Sequence, residues 1–323
     1  MTMRKSRARR VLSAALAGLA LVAPRVAEAC GSCRGPGGAG SALTAPWQKY
    51  GVSVVETMRI GQGIFDQRSR FRRFGSESHD RVLELGFAAA VRPIDAIELG
   101  ATAAYGNVLV GGPSFRSARG ALGDLSLRAR WEAHAEPPIA YTGQTRWPSL
   151  GVTFTARVPT GTVDRTTSAG ASGPSPGTVG STATSQGLGT TELALAVDVR
   201  KSFGTRFQLG AVGEGAWRSP DHSIGLRRAL APRGLVRVMG IVFEGDATFG
   251  LFADLGMEGD VTYGLRTSPE SGQRSFSLGA SATYKTELGL RTGLSLSYQP
   301  PIDGLSMNAV AATGITTFLA FTR

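Results

Sequence analysis

The stretch Leu125-Ser126-Leu127-Arg128-Ala129-Arg130-Trp131 decides how this chain is read. Successive side chains of a β-strand point to opposite faces of the sheet. Leu125, Leu127, Ala129 and Trp131 therefore share one face, and Ser126, Arg128 and Arg130 share the other with Asp124. Three more stretches repeat the pattern. In Val152–Val158, Val152, Phe154, Ala156 and Val158 oppose Thr153, Thr155 and Arg157. Leu193, Leu195, Val197 and Val199 oppose Glu192, Asp198 and Arg200 in Thr191–Arg200. Leu288, Leu290, Leu294, Leu296 and Tyr298 oppose Arg291, Ser295 and Ser297 in Leu288–Tyr298. A water-soluble sandwich also alternates, burying one face and wetting the other. Here the second face is rich in Arg, Asp, Glu and Gly, and the apolar face often ends in Trp or Tyr. A polar lumen and an aromatic girdle account for both, and strands of about 9–11 residues match a tilted membrane crossing.

Weaker strands fill the intervals: Gly51–Ile60, Arg81–Val91, Ala96–Tyr105, Arg206–Trp217, Leu235–Val242, Ala247–Met257, Ser275–Lys285 and Ala309–Phe321. Tight turns at Arg92–Asp95, Lys201–Thr205, Phe243–Asp246 and Lys285–Glu287 alternate with long polar loops. Those loops are Gly61–Asp80, Gly106–Gly120, Thr160–Gly189, Arg218–Gly234, Glu258–Arg274 and Gln299–Asn308. Short turns on one side and long loops on the other define an outer-membrane barrel. The expected fold is all-β, an antiparallel transmembrane barrel of about 12 strands, with both termini on the short-turn, periplasmic side. One connector breaks the alternation: Glu132–Pro148 is long and holds Pro137, Pro138 and Pro148. Thr160–Gly189, poor in apolar residues, reads as a mobile external loop that gates the mouth, the alternative being a constriction loop folded inward.

The N-terminus has the form of a secretory signal. Arg4, Lys5, Arg7, Arg9 and Arg10 precede the apolar run Val11–Ala23, and Ala27-Glu28-Ala29 suits cleavage before Cys30. The expected division is a signal peptide at 1–29, a flexible Gly-rich tail at 30–46 and an outer-membrane barrel at 47–323. Of the formal net charge of +11, +5 leaves with the signal. The remainder argues against nucleic acid as a partner and for a mildly cationic lumen or basic loops facing lipopolysaccharide.

Cys30 and Cys33 form a C-x-x-C pair at the new N-terminus, and three readings apply to them. In an oxidising compartment they form a disulfide; two thiolates also suit a soft metal such as Cu(I), or serve thiol exchange. Residue 34 is Arg where haem attachment needs His, so no cofactor is expected. His79 beside Asp80 and His222 beside Asp221 are read as solvated loop residues, since a general base needs a positioned partner. No catalytic set is expected.

Gln67-Arg68-Ser69-Arg70-Phe71-Arg72-Arg73-Phe74 is a dense cationic run in the first long loop, suited to lipopolysaccharide phosphates. The candidate lumen-lining residues are Asp124, Arg128, Arg130, Arg157, Glu192, Asp198, Arg200 and Arg291. Such charges either set ionic preference or form ladders that hold the wall together, and in a small barrel the ladder is the commoner use.

Gly123–Trp131, Gly151–Arg157 leading into Pro159-Thr160-Gly161, then Gly187-Leu188-Gly189-Thr190-Thr191-Glu192-Leu193 and Lys201-Ser202-Phe203-Gly204 occur in a recurring order. This order resembles the outer-membrane barrels grouped with the meta-pathway of phenol degradation proteins. The resemblance implies passage of small molecules, hydrophobic ones among them. The chain departs from the common barrel-insertion signal in ending at Arg323, so the barrel-assembly machinery would read Phe321. The function expected is passive transport of a small solute. The alternative is an envelope anchor whose Cys30/Cys33 tail carries the activity.

Overall fold

Twelve long antiparallel strands close on themselves in the computed structural model. It describes Thr44 and the chain from 48 to 323 apart from 77, 113–114, 137–145, 162–189, 221–227, 230–231, 261, 264–265, 268, 270 and 287. The signal at 1–29, Cys30 and Cys33, Asp221 and His222, and all but the edges of the loop Thr160–Gly189 lie outside the described residues. The strands are β1 (Tyr50–Phe65), β2 (His79–Ile94), β3 (Ile97–Gly112), β4 (Leu125–His134), β5 (Ser149–Val158) and β6 (Glu192–Phe203). They continue as β7 (Phe207–Arg218), β8 (Arg233–Glu244), β9 (Ala247–Glu258), β10 (Gln273–Lys285), β11 (Leu290–Tyr298) and β12 (Val310–Thr322).

Each strand pairs with its sequence neighbours, and β12 pairs with β1 from Gly51↔Thr322 to Ile64↔Val310. The amide of Lys49 donates to the Arg323 carbonyl at 2.6 Å and seals the seam. Closure leaves no barrel strand with an unpaired edge, which the hydrocarbon layer requires. Short turns join β2–β3, β6–β7, β8–β9 and β10–β11 at one end. Gly204 (φ 61°), Gly245 (φ 59°) and Gly289 (φ 80°) sit in three of them, where a left-handed backbone favours glycine.

Pairing runs further than the sequence periodicity indicates. The segment Gly106–Gly120, read as a loop, is largely strand: Tyr105–Gly112 pairs with Phe115–Leu122 and lengthens one hairpin. Its glycines and Pro113 hide the alternation in sequence. β1 likewise passes a bulge between Gly61 and Gly63 and pairs with Phe71–Arg73. Leu288, read as the start of a strand, lies in the turn and is 85% exposed.

The barrel is inverted relative to a water-soluble fold. Val52, Phe87, Leu127, Phe154, Leu195, Val238, Leu251 and Leu319 point outward and are exposed. Arg92, Glu98, Arg130 and Asp198 point inward and are at most 1% exposed. An apolar surface that circles the molecule is a liability in water and a match for lipid. Tyr50, Trp131, Phe203 and Phe207 face outward near the short-turn end, and Trp217 and Tyr298 near the long-loop end.

Candidate functional site: the charged lumen

The lumen has a charged wall and an apolar wall. The charged wall is built by β2 to β6 near the short-turn end, where strand parity turns Arg92, Glu98, Arg128, Arg130, Glu132, Asp198 and Arg200 inward. Arg130 forks onto Asp198, with Nη1 donating to Oδ2 and Nη2 to Oδ1 at 3.2 Å. Arg200 Nη2 donates to Glu132 Oε1 at 2.6 Å, and its Nε lies 3.1 Å from Asp198. Arg128 Nη2 donates to Glu98 Oε1 at 2.5 Å. Arg92 Nη2 lies 3.6 Å from Glu98 and 3.9 Å from Glu132. Four guanidiniums thus interleave with three carboxylates in one continuous lattice.

Thr44 enters this lattice from the N-terminal side. Its amide and hydroxyl donate to Glu98 Oε2 at 2.7 and 2.6 Å. Its carbonyl accepts from Arg92 Nη2 at 3.0 Å, and its hydroxyl from Arg92 Nε at 3.2 Å. Thr44 is 0% exposed although it belongs to the segment 30–46 read as a flexible tail. Gln48 Nε2 then donates to Thr322 Oγ1 at 2.7 Å on the way to β1. A side chain bordering an open aqueous pore keeps accessible surface. Here Arg92, Arg130, Glu98, Asp198 and Thr44 retain almost none, so these groups are packed against one another on this wall.

A second lattice lies at the long-loop end. Glu192 accepts from Arg218 Nε at 2.7 Å and from Arg233 Nη2 at 2.9 Å, and Arg157 lies 3.8 Å away. Arg218 Nη1 also donates to Glu258 at 2.6 Å, and Arg233 Nη2 lies 2.8 Å from Glu214. Asp124 Oδ1 accepts from the Gly161 amide at 3.0 Å. Arg291 points inward near the short-turn end and is 5% exposed.

The apolar wall comes from β6 to β9. Ala196, Val212, Met239, Ile241 and Phe243 pack together inside the barrel, with Phe252 against them. Arg237 lies over the Phe252 ring at 5.0 Å and forks onto Asp254 at 2.5 and 2.7 Å. Phe318 of β12 also points inward and is buried.

Sequence reading named Arg128, Arg130, Asp198 and Arg200 of the first lattice, and Arg157 and Glu192 of the second. It missed Arg92, the first residue of a segment read as turn, Glu98, inside the segment Ala96–Tyr105 read as strand, and Glu132, read as connector. Extending strand parity by one residue beyond Val91 and Trp131 identifies Arg92 and Glu132, and parity within Ala96–Tyr105 identifies Glu98. It also missed the apolar wall, whose signal is a strand apolar on both faces, as in Leu235-Val236-Arg237-Val238-Met239-Gly240-Ile241-Val242-Phe243.

The closed sheet, the inverted polarity and the two-sided connector pattern define an outer-membrane β-barrel. No protein-family model matches the chain, and no curated protein is similar to it in sequence. Its fold is similar to that of the COG4313 outer membrane channel from Pseudomonas putida F1. That likeness has a TM-score of 0.67 at 15% identity and covers 90% of this chain and 100% of that one. The KdgM porin is matched at a TM-score of 0.42 and 7% identity, over 83% of this chain and 98% of the porin. The CymD monoaromatic hydrocarbon channel is matched at 0.40 and 8%, over 85% and 88% of the two chains.

Proposed function

We propose that the protein is a gated outer-membrane channel for a small hydrophobic solute, and that it is not an enzyme. The observation that carries this reading is Thr44 held in the lumen by Glu98 and Arg92. Hydrogen bonds to this one residue can be released without breaking the sheet. The inward Met239, Ile241, Phe243 and Phe252 offer an apolar solute a surface inside the barrel, and the family resemblance of the 120–205 region points to the same solute class. In this reading the balanced Arg and carboxylate lattice supports the wall and seats Thr44 instead of filtering ions.

The signal peptide 1–29 sends the chain to the outer membrane, and the short turns and both termini face the periplasm. The barrel-assembly machinery reads β12 through Phe321. Outside, the exposed Arg68, Arg70, Arg72 and Arg73 meet lipopolysaccharide phosphates. The loop that carries them is ordered by Asp66, whose Oδ1 accepts the amides of Arg68 and Arg70, both at 2.9 Å.

Planar-bilayer recording with a chain lacking 30–46 tests the gating. The intact protein gives rare, small openings and the truncated chain a steady, larger conductance. Silence from both, with the barrel folded, rules out a channel gated by this segment. Liposome uptake of an uncharged aromatic probe tests the solute class, and uptake no faster than that of a sugar of equal size rules it out.

A further inference from the structure

Glu56 stands where an outer-membrane wall has no use for a charge. On β1 it follows Tyr50, Val52 and Val54 and precedes Met58 and Ile60 on the outward face, and like them it is exposed. It pairs laterally with Leu85 of β2 and Thr317 of β12, which also point outward. Six residues above the girdle residue Tyr50, at ~3.3 Å per residue and a tilt of about 40°, place it roughly 15 Å into the hydrocarbon band. No hydrogen-bond or ion-pair partner reaches it among the described residues. The other outward charges there, Arg81, Lys201, Glu244 and Arg274, stand at strand ends.

Beside Glu56, toward the short-turn end, the same wall is hollowed. Ala89, Ala101 and Ala103 floor an apolar groove of about 450 Å³ walled by Val54, Phe87 and Leu319. Small residues on a lipid-facing surface let a second wall approach closely, and a polar side chain there binds by finding a hydrogen-bond partner across the contact. A lipid acyl chain fills such a groove but offers the carboxyl nothing, because lipid ester groups lie outside the hydrocarbon core.

We propose that this wall is the interface of a homodimer with Glu56 on its two-fold axis. Both copies insert in the same direction, so the axis must run along the membrane normal. A residue on the contact line then meets its own counterpart at the same depth. A carboxyl is self-complementary in that position: the O–H of one donates to the C=O of the other. Phe87 and Val54 of each copy fill the alanine groove of its partner.

Cysteine cross-linking in intact outer membranes tests this. The reporter Val54→Cys is placed beside Glu56, with Cys30 and Cys33 changed to Ser so that it is the one thiol. Oxidation should convert this chain to a covalent dimer, whereas Val238→Cys on the far wall should remain monomeric. Adding Glu56→Leu, a residue native to lipid-facing walls, should lower the cross-linked fraction roughly tenfold, the scale of one interface hydrogen-bond pair in a membrane. Glu56→Gln keeps a donor and an acceptor and should restore it. The proposal is overturned if Val54→Cys stays monomeric, or if Glu56→Leu dimerises as well as the parent. Loss with Glu56→Gln as complete as with Glu56→Leu also overturns it, since that marks a cationic partner instead of a second copy.

Discussion

Asp198 serves two guanidiniums at once, Arg130 and Arg200, at a depth where it is 1% exposed. Removing one member of a buried ion pair leaves the others desolvated and unpaired, which costs about 3–5 kcal/mol. Asp198→Asn should therefore lower stability by roughly 3 kcal/mol in urea unfolding from lipid vesicles. Arg130→Met combined with Asp198→Leu should recover most of that loss. Gly151 faces the same pair, and a Cβ there would strike the Arg130 guanidinium. Asp66 is the opposite case, a carboxylate in a surface loop. The Arg70 amide above all, then that of Arg68 and the charge of Arg72, hold it below the usual carboxylate range against a partial desolvation that raises it. A depressed folded-state pKa stabilises the loop above the ordinary carboxylate pKa, and this is lost as pH falls through the folded value. Proteolysis within 66–74 should accelerate on acidification in the parent chain. Asp66→Ala, which removes the acceptor of both amides, should be fast at every pH; a flat profile in the parent would exclude Asp66 as the cap.

Among the elements, the β8–β9 hairpin shows how turn chemistry sets register. Its strands pair without a break from Arg233↔Glu258 to Glu244↔Ala247, and Gly245 closes them at φ 59°. Gly245→Ala forces a Cβ into the left-handed region and should destabilise by about 1 kcal/mol, with Gly245→Asn nearer the parent. Refolding into vesicles measures both, and equal loss for Ala and Asn would mean that the turn tolerates no side chain at all. The β3 hairpin makes a different point. Tyr105–Gly112 and Phe115–Leu122 pair beyond the point where β4 joins β3, so this wall reaches further than β4 and β5. Glycines and Pro113 make the segment read as loop, and only the partner strand reveals it as sheet.

At the scale of the whole molecule, the inside of the barrel is nearly charge-balanced. Arg92, Arg128, Arg130 and Arg200 face Glu98, Glu132 and Asp198 at one end, and Arg157, Arg218 and Arg233 face Glu192, Glu214 and Glu258 at the other. Once the segment 30–46 is removed, the reversal potential in a KCl gradient should correspond to a cation-to-anion permeability ratio near unity. Strong selectivity of either sign would show that charges outside these lattices control the pore. The sequence by itself determined the barrel, because a period of two in the side chains and an alternation of turn lengths are local properties. It determined the inward direction of Arg128, Arg130, Asp198 and Arg200 for the same reason, since parity along one strand needs no partner. Only the tertiary structure decided which charge meets which. Arg130 and Asp198 are 68 residues apart, and their meeting depends on the register of β4 on β5 and of β5 on β6. It alone decided that Thr44 is held inside the barrel: a threonine in a Gly-rich tail carries no periodic signal, and its place follows from the donors and acceptors that Glu98 and Arg92 present once the sheet has closed.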